Sequence, residues 1–229
     1  MALIETINVT KHFIQGEIVV KALRGITFTI NNGEFAALVG PSGSGKTTLL
    51  NCIGALDRPT SGSISINGRS LETMKDKELS NFRLYEIGFV FQAYNLIPVL
   101  TAKENVEYVL LLQGVPKKEI EERVMALFNE MDMSDLANRF PRELSGGQQQ
   151  RVAVARSLVS NPNIVLADEP TANLDSKNAD ILLDIMYSMC EKKGTAFLFS
   201  THDTRVMNRA KRLIRLRDGL IESEETSRT

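Results

Sequence analysis

Hydrophobic residues cluster in short runs along the chain, and polar or glycine-rich segments separate these runs. Compact apolar runs, typical of strands buried on both faces, occur at 35–39, 87–91, 163–167 and 196–199. Helical spacing of apolar residues occurs over 47–53, 145–158 and 177–192. This alternation predicts an α/β fold with a mainly parallel sheet, whose functional groups lie at the strand ends.

The two ends of the chain show a different pattern, typical of antiparallel strands. Residues 1–35 contain short, partly alternating segments with turns, and residues 63–66 lead into an Asn67-Gly68 turn. We interpret this part as an N-terminal antiparallel β subdomain. Residues 212–221 predict a hairpin around Asp218-Gly219.

The middle of the chain changes to helical spacing with charged faces. Helices are predicted over 100–113 and 117–131, and Pro116 fits the start of the second helix. We interpret residues 92–144 as a helical subdomain inserted into a P-loop NTPase core. The predicted organisation is a single domain over 1–229, with the α/β core and β subdomain in 1–91 and 145–229.

Composition narrows the class of protein without changing this outline. The chain has 229 residues, 43% hydrophobic and 24% charged, which suits one α/β domain with a modest insertion. The formal net charge of -1 does not indicate a nucleic-acid partner or an anionic membrane surface. Cys52 and Cys190 lie in apolar, helix-like segments, so we expect buried free thiols in a reducing compartment.

No segment has the pattern of a membrane span or a secretory signal. No apolar run approaches the roughly 18 residues that a membrane helix needs, and the run at 109–112 is short and followed by Gln113. The N-terminal residues lack a basic region followed by a long apolar core. If the protein acts at a membrane, we therefore expect it to associate with the membrane by docking to another chain.

A glycine-rich loop follows the strand at 35–39 and opens the helix after it, as G-x-x-x-x-G-K-[ST] requires; it is Gly40-Pro41-Ser42-Gly43-Ser44-Gly45-Lys46-Thr47. Its backbone N–H groups can converge on phosphate oxygens, and the helix N-terminus adds partial positive charge. Lys46 is predicted to reach the terminal phosphates, Thr47 to ligate Mg²⁺ and Thr48 to donate to the α-phosphate. The loop alone leaves kinases, GTPases and many ATPases open.

A second glycine-rich segment opens the helix at 145–158 and contains no lysine; it is Leu144-Ser145-Gly146-Gly147-Gln148. Its amides and the Ser145 hydroxyl form another anion-binding helix end, which need not face the phosphate loop of the same chain. With this LSGGQ segment the sequence resembles the nucleotide-binding subunits of ABC transporters. The resemblance implies ATP and Mg²⁺ as cofactors. It also implies a head-to-tail homodimer in which Ser145, Gly146, Gly147 and Gln148 cover the γ-phosphate held by the other copy.

The same resemblance assigns the polar residues that follow three of the predicted strands. Asp168 is expected to hold Mg²⁺ through water, and Glu169 to act as the general base. Gln92 is expected to touch Mg²⁺ or the attacking water, and His202 to contact the γ-phosphate. Taken without the family, adjacent acids at a strand end can also form a turn or a helix cap. A lone histidine is more often structural.

The family resemblance implies roles for three further parts of the sequence. Asn173-Leu174-Asp175 resembles the D-loop, which links the two sites of the dimer. Phe13 lies where the family has an aromatic residue that stacks on adenine, although a core or edge phenylalanine fits nearly as well. An apolar cluster after Gln92 can either receive a short helix of a membrane partner or pack within the helical subdomain; it consists of Tyr94, Leu96, Ile97, Val99 and Leu100.

The segments 56–62, 167–171 and 173–175 resemble the branch that serves lipoprotein release, macrolide and peptide export, and cell division. Ala172, in place of the usual glycine, and Ser200 depart from its pattern. The implied function is an ATPase that drives a separate transmembrane permease in export or lipoprotein release, by ATP-dependent dimer closure. The alternative is a regulatory ATPase of cell division that moves no substrate. A soluble ATPase of translation or DNA repair ranks last, because the chain has neither two cassettes nor a long coiled coil.

The implied place in the cell follows from the same resemblance. We expect a cytoplasmic protein, peripheral on the cytoplasmic face of the inner membrane and bound there only through its permease. No nucleic-acid partner is expected.

Overall fold

The structure is a computed structural model and describes residues 2–226. In chain order its strands are β1 (Ala2–Gln15), β2 (Ile18–Asn31), β3 (Phe35–Val39), β4 (Ser61–Ile66), β5 (Arg69–Ser70), β6 (Ile87–Val90), β7 (Ile164–Asp168), β8 (Ala196–Thr201), β9 (Arg212–Arg217) and β10 (Leu220–Thr226). Its α-helices are α1 (Lys46–Ile53), α2 (Asp76–Glu86), α3 (Ala102–Leu112), α4 (Lys117–Glu130), α5 (Gly146–Leu158), α6 (Ser176–Lys193) and α7 (Thr204–Arg209).

The strands form two sheets. A four-stranded antiparallel sheet has the order β2-β1-β4-β5. A six-stranded sheet has the order β10-β9-β3-β8-β7-β6, in which only β10 runs antiparallel to its neighbour. The predicted fold class, a mainly parallel α/β core with an N-terminal antiparallel sheet, is confirmed.

The six-stranded sheet is buried on both faces by two hydrophobic clusters. In β3, Phe35 and Ala37 belong to the cluster shared with α3 to α6, whereas Ala36 and Leu38 belong to the cluster shared with α1, α2 and the smaller sheet. Every residue of β3 is buried. This explains why the strand appears in the sequence as an unbroken apolar run.

The helical segment between β6 and α5 packs on the first of these clusters. Thr101 caps α3, because its hydroxyl accepts from Glu104 N (3.2 Å) and the Glu104 carboxylate accepts from Thr101 N (2.8 Å). The buried Asn105 amide fixes the preceding loop: its oxygen accepts from Ile97 N (2.7 Å), and its nitrogen donates to Ile97 O (3.1 Å). The division of the chain at 92–144 stays a prediction, and its outer bounds of 1 and 229 lie outside the described residues.

Several local features differ from the pattern-based expectation. Helices α2 and α7 were not predicted, and β1 and β2 each span 14 residues, longer than the short strands expected. Cys52 and Cys190 are free and buried, as expected. Among the described residues, no helix has the length and apolar character that crossing a membrane requires.

Candidate functional site

A cavity of 360 Å³ opens at the carboxyl ends of the parallel strands. The phosphate loop follows β3, Glu169 follows β7, and His202 follows β8, so the sheet order β3-β8-β7 brings all three to one edge. The predicted site residues in its lining are Ser42, Gly43, Gly45, Lys46, Thr47, Thr48, Gln92, Glu169 and His202. Gly40, Pro41, Ser44 and Asp168 lie outside the lining, in direct contact with or next to residues that form it.

The phosphate loop presents an open helix end to this cavity. Helix α1 begins at Lys46, and its N-cap, Gly45, has a φ of 102° and makes no side-chain hydrogen bond. In contrast, side chains cap α3, α5, α6 and α7. The first N–H groups of α1 are therefore available to an anion, and the helix dipole favours negative charge there.

Two features of the loop fit a bound triphosphate. The Lys46 ammonium donates to Gly40 O (2.8 Å) and Pro41 O (3.1 Å), and no carboxylate of the described residues pairs with it. Its positive charge is thus not neutralised locally. The buried hydroxyls of Ser44 and Ser200 have no hydrogen-bond partner in the described part of the chain, and Ser200 lines the cavity. A polar ligand satisfies such groups.

An oxygen pair beside the loop fits Mg²⁺. The Thr47 hydroxyl lies 3.1 Å from both carboxylate oxygens of Asp168, across 121 positions of sequence. The described residues contain no group of three or more His, Cys, Asp or Glu side chains able to hold a metal. Mg²⁺ commonly uses one or two protein oxygens and completes its shell with water and substrate phosphates. Thr47 and Asp168, with Gln92 in the same cavity, match that donor set.

Glu169 is held in a restrained position at the cavity wall. Its φ is 46°, in the left-handed region, and its backbone N–H donates to Ser200 O (2.8 Å). One carboxylate oxygen lies 2.7 Å from His202 Nδ1, and the other accepts from the Thr201 hydroxyl (3.3 Å). The Glu169 side chain is 17% exposed and that of His202 is 76% exposed. The pair can therefore orient a water molecule that enters the cavity.

The LSGGQ segment lies away from this cavity. Ser145 caps α5: its hydroxyl accepts from Gln148 N (3.3 Å), and Gln148 Oε1 accepts from Ser145 N (2.9 Å). A Cβ at Gly147 would lie 2.8 Å from Asn178 Cγ, so a larger residue there would displace the Asn178 side chain of α6. Its predicted site residues all lie outside the cavity lining: Ser145, Gly146, Gly147 and Gln148. This helix end is therefore not part of the cavity that the phosphate loop of the same chain forms.

Long-range hydrogen bonds connect the loops around the cavity. Asn173 Nδ2 donates to the Gln92 carbonyl (3.0 Å), and the Thr171 hydroxyl donates to Asp203 (2.6 Å). Burial raises the pKa of Asp203, but hydrogen bonds from Arg205 and Thr171 outweigh it and hold the value at about 2. The sequence analysis had singled out neither Asp203 nor these contacts.

Phe13 lies apart from the phosphate end of the cavity. It pairs with Val20 in the β1–β2 ladder and is 39% exposed, which excludes the core alternative. The Lys11 ammonium lies 5.1 Å from the centre of its ring. Stacking of Phe13 on adenine stays a prediction.

Comparisons with known proteins agree with this geometry. A family model described as ABC transporter matches residues 23–172. An uncharacterized ABC transporter ATP-binding protein of Thermotoga maritima is 44% identical over 221 residues, which cover 96% of this chain and 94% of the relative. The uncharacterized ABC transporter ATP-binding protein MJ0796 of Methanocaldococcus jannaschii is 45% identical over 225 residues, 96% of each chain.

A third relative carries its permease in the same chain. The macrolide export ATP-binding/permease protein MacB of Brucella melitensis is 44% identical over 226 residues, which cover 99% of this chain and 35% of that protein. Among solved structures, a dimer of MJ0796 in a post-hydrolysis state, bound to ADP and Pi, matches with a TM-score of 0.91 and 42% identity, over 99% of each chain. From the cavity, the two glycine-rich helix ends and these matches, we conclude that the chain belongs to the ABC transporter family, as an ATP-binding and ATP-hydrolysing cassette.

Proposed function

We propose that this cassette binds ATP with Mg²⁺ in the 360 Å³ cavity and hydrolyses it within a closed homodimer. We further propose that closure drives a separate membrane permease in export or lipoprotein release. The observation that carries the proposal is the separation of the two anion-binding helix ends. The start of α1 faces the cavity, whereas the start of α5 does not, so a second copy must supply the second end.

The phosphate loop and its neighbours bind and orient the nucleotide in this proposal. Lys46 and the N-terminal amides of α1 stabilise the β- and γ-phosphates by charge and hydrogen bonds. Thr47, Asp168 and Gln92 would hold the metal, which would neutralise charge on the phosphates. Glu169 lines the same cavity.

Glu169 is the general base and His202 orients it. The 2.7 Å contact between Glu169 Oε1 and His202 Nδ1 fixes the carboxylate, and the Thr201 hydroxyl holds the other oxygen. A base held in this way accepts the proton of the attacking water as the phosphoryl group transfers. His202 is exposed enough to contact the γ-phosphate as well.

The dimer completes the site. In a head-to-tail pair, the start of α5 of one copy approaches the γ-phosphate bound to the other. Ser145 and the amides of Gly146 and Gly147 then stabilise the transferring group. The solved structure of MJ0796 in a post-hydrolysis state, 42% identical, is a dimer bound to ADP and Pi, which supports the pairing of two copies.

Glu169→Gln tests the assignment of the base. The amide keeps the shape of the side chain but cannot take a proton, so we expect hydrolysis to fall by about 10²- to 10⁴-fold. ATP binding and ATP-dependent dimerisation, measured by light scattering, should persist. Glu17→Gln, at an exposed turn, is the matched control and should behave as the native protein. Hydrolysis by the Glu169→Gln protein at the native rate would refute the assignment.

The permease is proposed to dock on a second cavity, of 470 Å³, between the sheet and the helical segment. Its apolar walls include Leu56, Phe89 and Val109, and its polar wall includes Arg83 and Arg156. Arg156 is held by donation to the Tyr94 (3.0 Å) and Asn95 (2.5 Å) carbonyls, which belong to the loop after Gln92.

The residues that line this cavity indicate which kind of partner segment it can bind. The described lining residues include two guanidinium groups and no carboxylate. A short amphipathic helix with an acidic residue would match both the apolar and the charged parts. The cluster predicted for docking lies next to this groove: Leu96 packs on the core and Val99 is 76% exposed. Its part in docking stays a prediction.

Leu56→Glu tests the docking groove. Leu56 is 47% exposed, so the change should leave the fold and the ATPase of the isolated cassette intact. We expect it to abolish co-purification with the permease from solubilised membranes, whereas Ile181→Glu, at a 39% exposed apolar position on α6, should not. Equal retention of a protein with membrane-spanning helices by both variants would contradict this site. Through such a partner the cassette would lie on the cytoplasmic face of the inner membrane.

A further inference from the structure

Gln150 is a buried polar residue on α5 with an unusual set of partners. Its side chain is fully buried. Its amide nitrogen donates to the Pro170 carbonyl (2.8 Å) and to the Phe91 carbonyl (3.3 Å). Its amide oxygen, also buried, has no hydrogen-bond partner in the described part of the chain.

The two carbonyls belong to the loops that follow the neighbouring strands β6 and β7. Phe91 directly precedes Gln92, and Pro170 directly follows Glu169. Gln150 itself lies two residues after Gln148, in the helix whose start is the LSGGQ segment. One amide group thus contacts the backbone next to the predicted metal-contacting residue and the backbone next to the predicted base, and it belongs to the helix whose start is the LSGGQ segment.

Stability alone does not explain a glutamine at this position. A buried amide with an unpaired oxygen is less favourable than an apolar side chain of similar volume. Positions one turn away on the same helix face, Gly147 and Val154, are buried and apolar. The side chain of the neighbouring Gln149 instead donates to the Leu144 carbonyl at the start of the helix (3.1 Å).

We propose that Gln150 is a positioning residue, which holds the Gln92 loop and the Glu169 turn in register with the LSGGQ helix. The proposal rests on the roles proposed above for Gln92 and Glu169. When α5 shifts on dimer closure, the shared amide moves both backbone segments with it. The geometry around the attacking water is then tied to the position of the helix that stabilises the phosphate of the other copy.

Gln150→Met is the main test, with Gln149→Met as the matched control. Methionine has a similar length and packs in apolar surroundings, but it cannot donate to either carbonyl. A misplacement of reacting groups by about 1 Å costs up to ~100-fold, so we expect kcat to fall by about 10- to 100-fold. KM for ATP and the thermal midpoint should stay near native values. Gln149→Met should leave kcat within about twofold.

A purely structural role predicts a different result, namely a lower thermal midpoint with normal kcat per folded molecule, and that result would overturn the proposal. Gln150→Glu provides a second variant: it keeps the volume, but its carboxylate can donate to neither carbonyl and repels both. Its kcat should fall at least as far as that of Gln150→Met. If neither variant folds while Gln149→Met does, the role is structural and the proposal fails.

Glu169→Gln, measured in parallel, separates this inference from the proposed function. Native hydrolysis by Glu169→Gln, with a low kcat for Gln150→Met, would refute the assignment of Glu169 as the base but would leave the positioning role of Gln150 supported. Lost hydrolysis by Glu169→Gln, with a native kcat for Gln150→Met, would refute only the positioning role of Gln150.

Discussion

Gly40→Ala perturbs the point at which the sheet meets the phosphate loop. Gly40 follows β3 directly and has a φ of 153°, a conformation that L side chains rarely adopt. A Cβ there would lie 2.1 Å from the carbonyl oxygen of Leu216 and 2.9 Å from the Ser44 hydroxyl. Leu216 belongs to β9, which pairs with β3 through partners such as Val39 and Arg215, so its carbonyl cannot withdraw freely.

The cost of this change has two parts. The backbone conformation costs about 1–2 kcal/mol for a residue with a Cβ. The new atom lies about 0.9 Å inside the 3.0 Å limit of real contacts, and overpacking of this kind costs about 1–3 kcal/mol. The total of about 2–5 kcal/mol is below the stability of a typical domain, about 5–15 kcal/mol, so the protein should fold. A loop displaced by nearly 1 Å should bind and orient phosphates poorly, with a loss of roughly 100-fold in kcat/KM.

Gly68→Ala is the matched control. Gly68 also has a positive φ, 69°, but a Cβ there meets nothing within 4 Å. It should lose about 1 kcal/mol of stability and keep native ATPase activity. Urea unfolding and steady-state ATPase assays measure both quantities. If Gly40→Ala matches Gly68→Ala in stability and in kcat/KM, the reasoning about the close approach to β9 is wrong.

Metal binding, acid stability and thiol reactivity give further tests. Asp168→Asn removes the charge next to Thr47, so the Mg²⁺ concentration for half-maximal hydrolysis should rise ~10-fold or more, and an unchanged value would contradict the metal site. The folded-state pKa of Asp203, about 2, lies below its ordinary value of 3.8, so the ionised carboxylate stabilises the fold fully above about pH 4 and loses this effect as pH falls toward 2. The difference in unfolding free energy between the native protein and Asp203→Asn should therefore shrink over that range. A pH-independent difference in urea unfolding would contradict this. Burial raises the pKa of Cys52 to about 12 and that of Cys190 to about 11, so neither should react with a thiol reagent at pH 7 until the protein unfolds, and fast labelling of native protein would contradict this.

The sequence pattern predicts the parts of the fold whose environment is uniform along the element. Strand β3 and the first four residues of β7 and of β8 are unbroken apolar runs because both faces of these strands are covered, and the runs stand out from the polar segments between them. The phosphate loop is equally local, since strand, glycines, lysine and helix follow one another directly. Its place in the sheet then follows from the rule that parallel strands share one functional edge.

Helix α2 could not be predicted in the same way. Only Leu79 and Phe82 of this helix are buried, so it has too few apolar positions to show a helical period. Its position depends on distant contacts, including a hydrogen bond from Arg83 to the Ala55 carbonyl (2.7 Å). Tertiary contacts of this kind leave no mark on local spacing.

The site shows the same division between local and distant features. Most of the residues that line the cavity come after the carboxyl ends of strands, and this position could be predicted from the sequence. The hydrogen bonds from Gln150 to Phe91 and from Asn173 to Gln92 span 59 and 81 positions of sequence, so they could be identified only in the folded structure. Gln150 did leave one signal, a polar residue at a helical position between buried Gly147 and Val154.

The most direct test of the account is ATPase activity per molecule as a function of protein concentration, with dimer formation by Glu169→Gln measured alongside. Composite sites predict that activity per molecule falls on dilution and that the variant forms dimers with ATP. Constant activity per molecule at high dilution, with no ATP-dependent dimer of the variant, would contradict the central claim that two copies build each site.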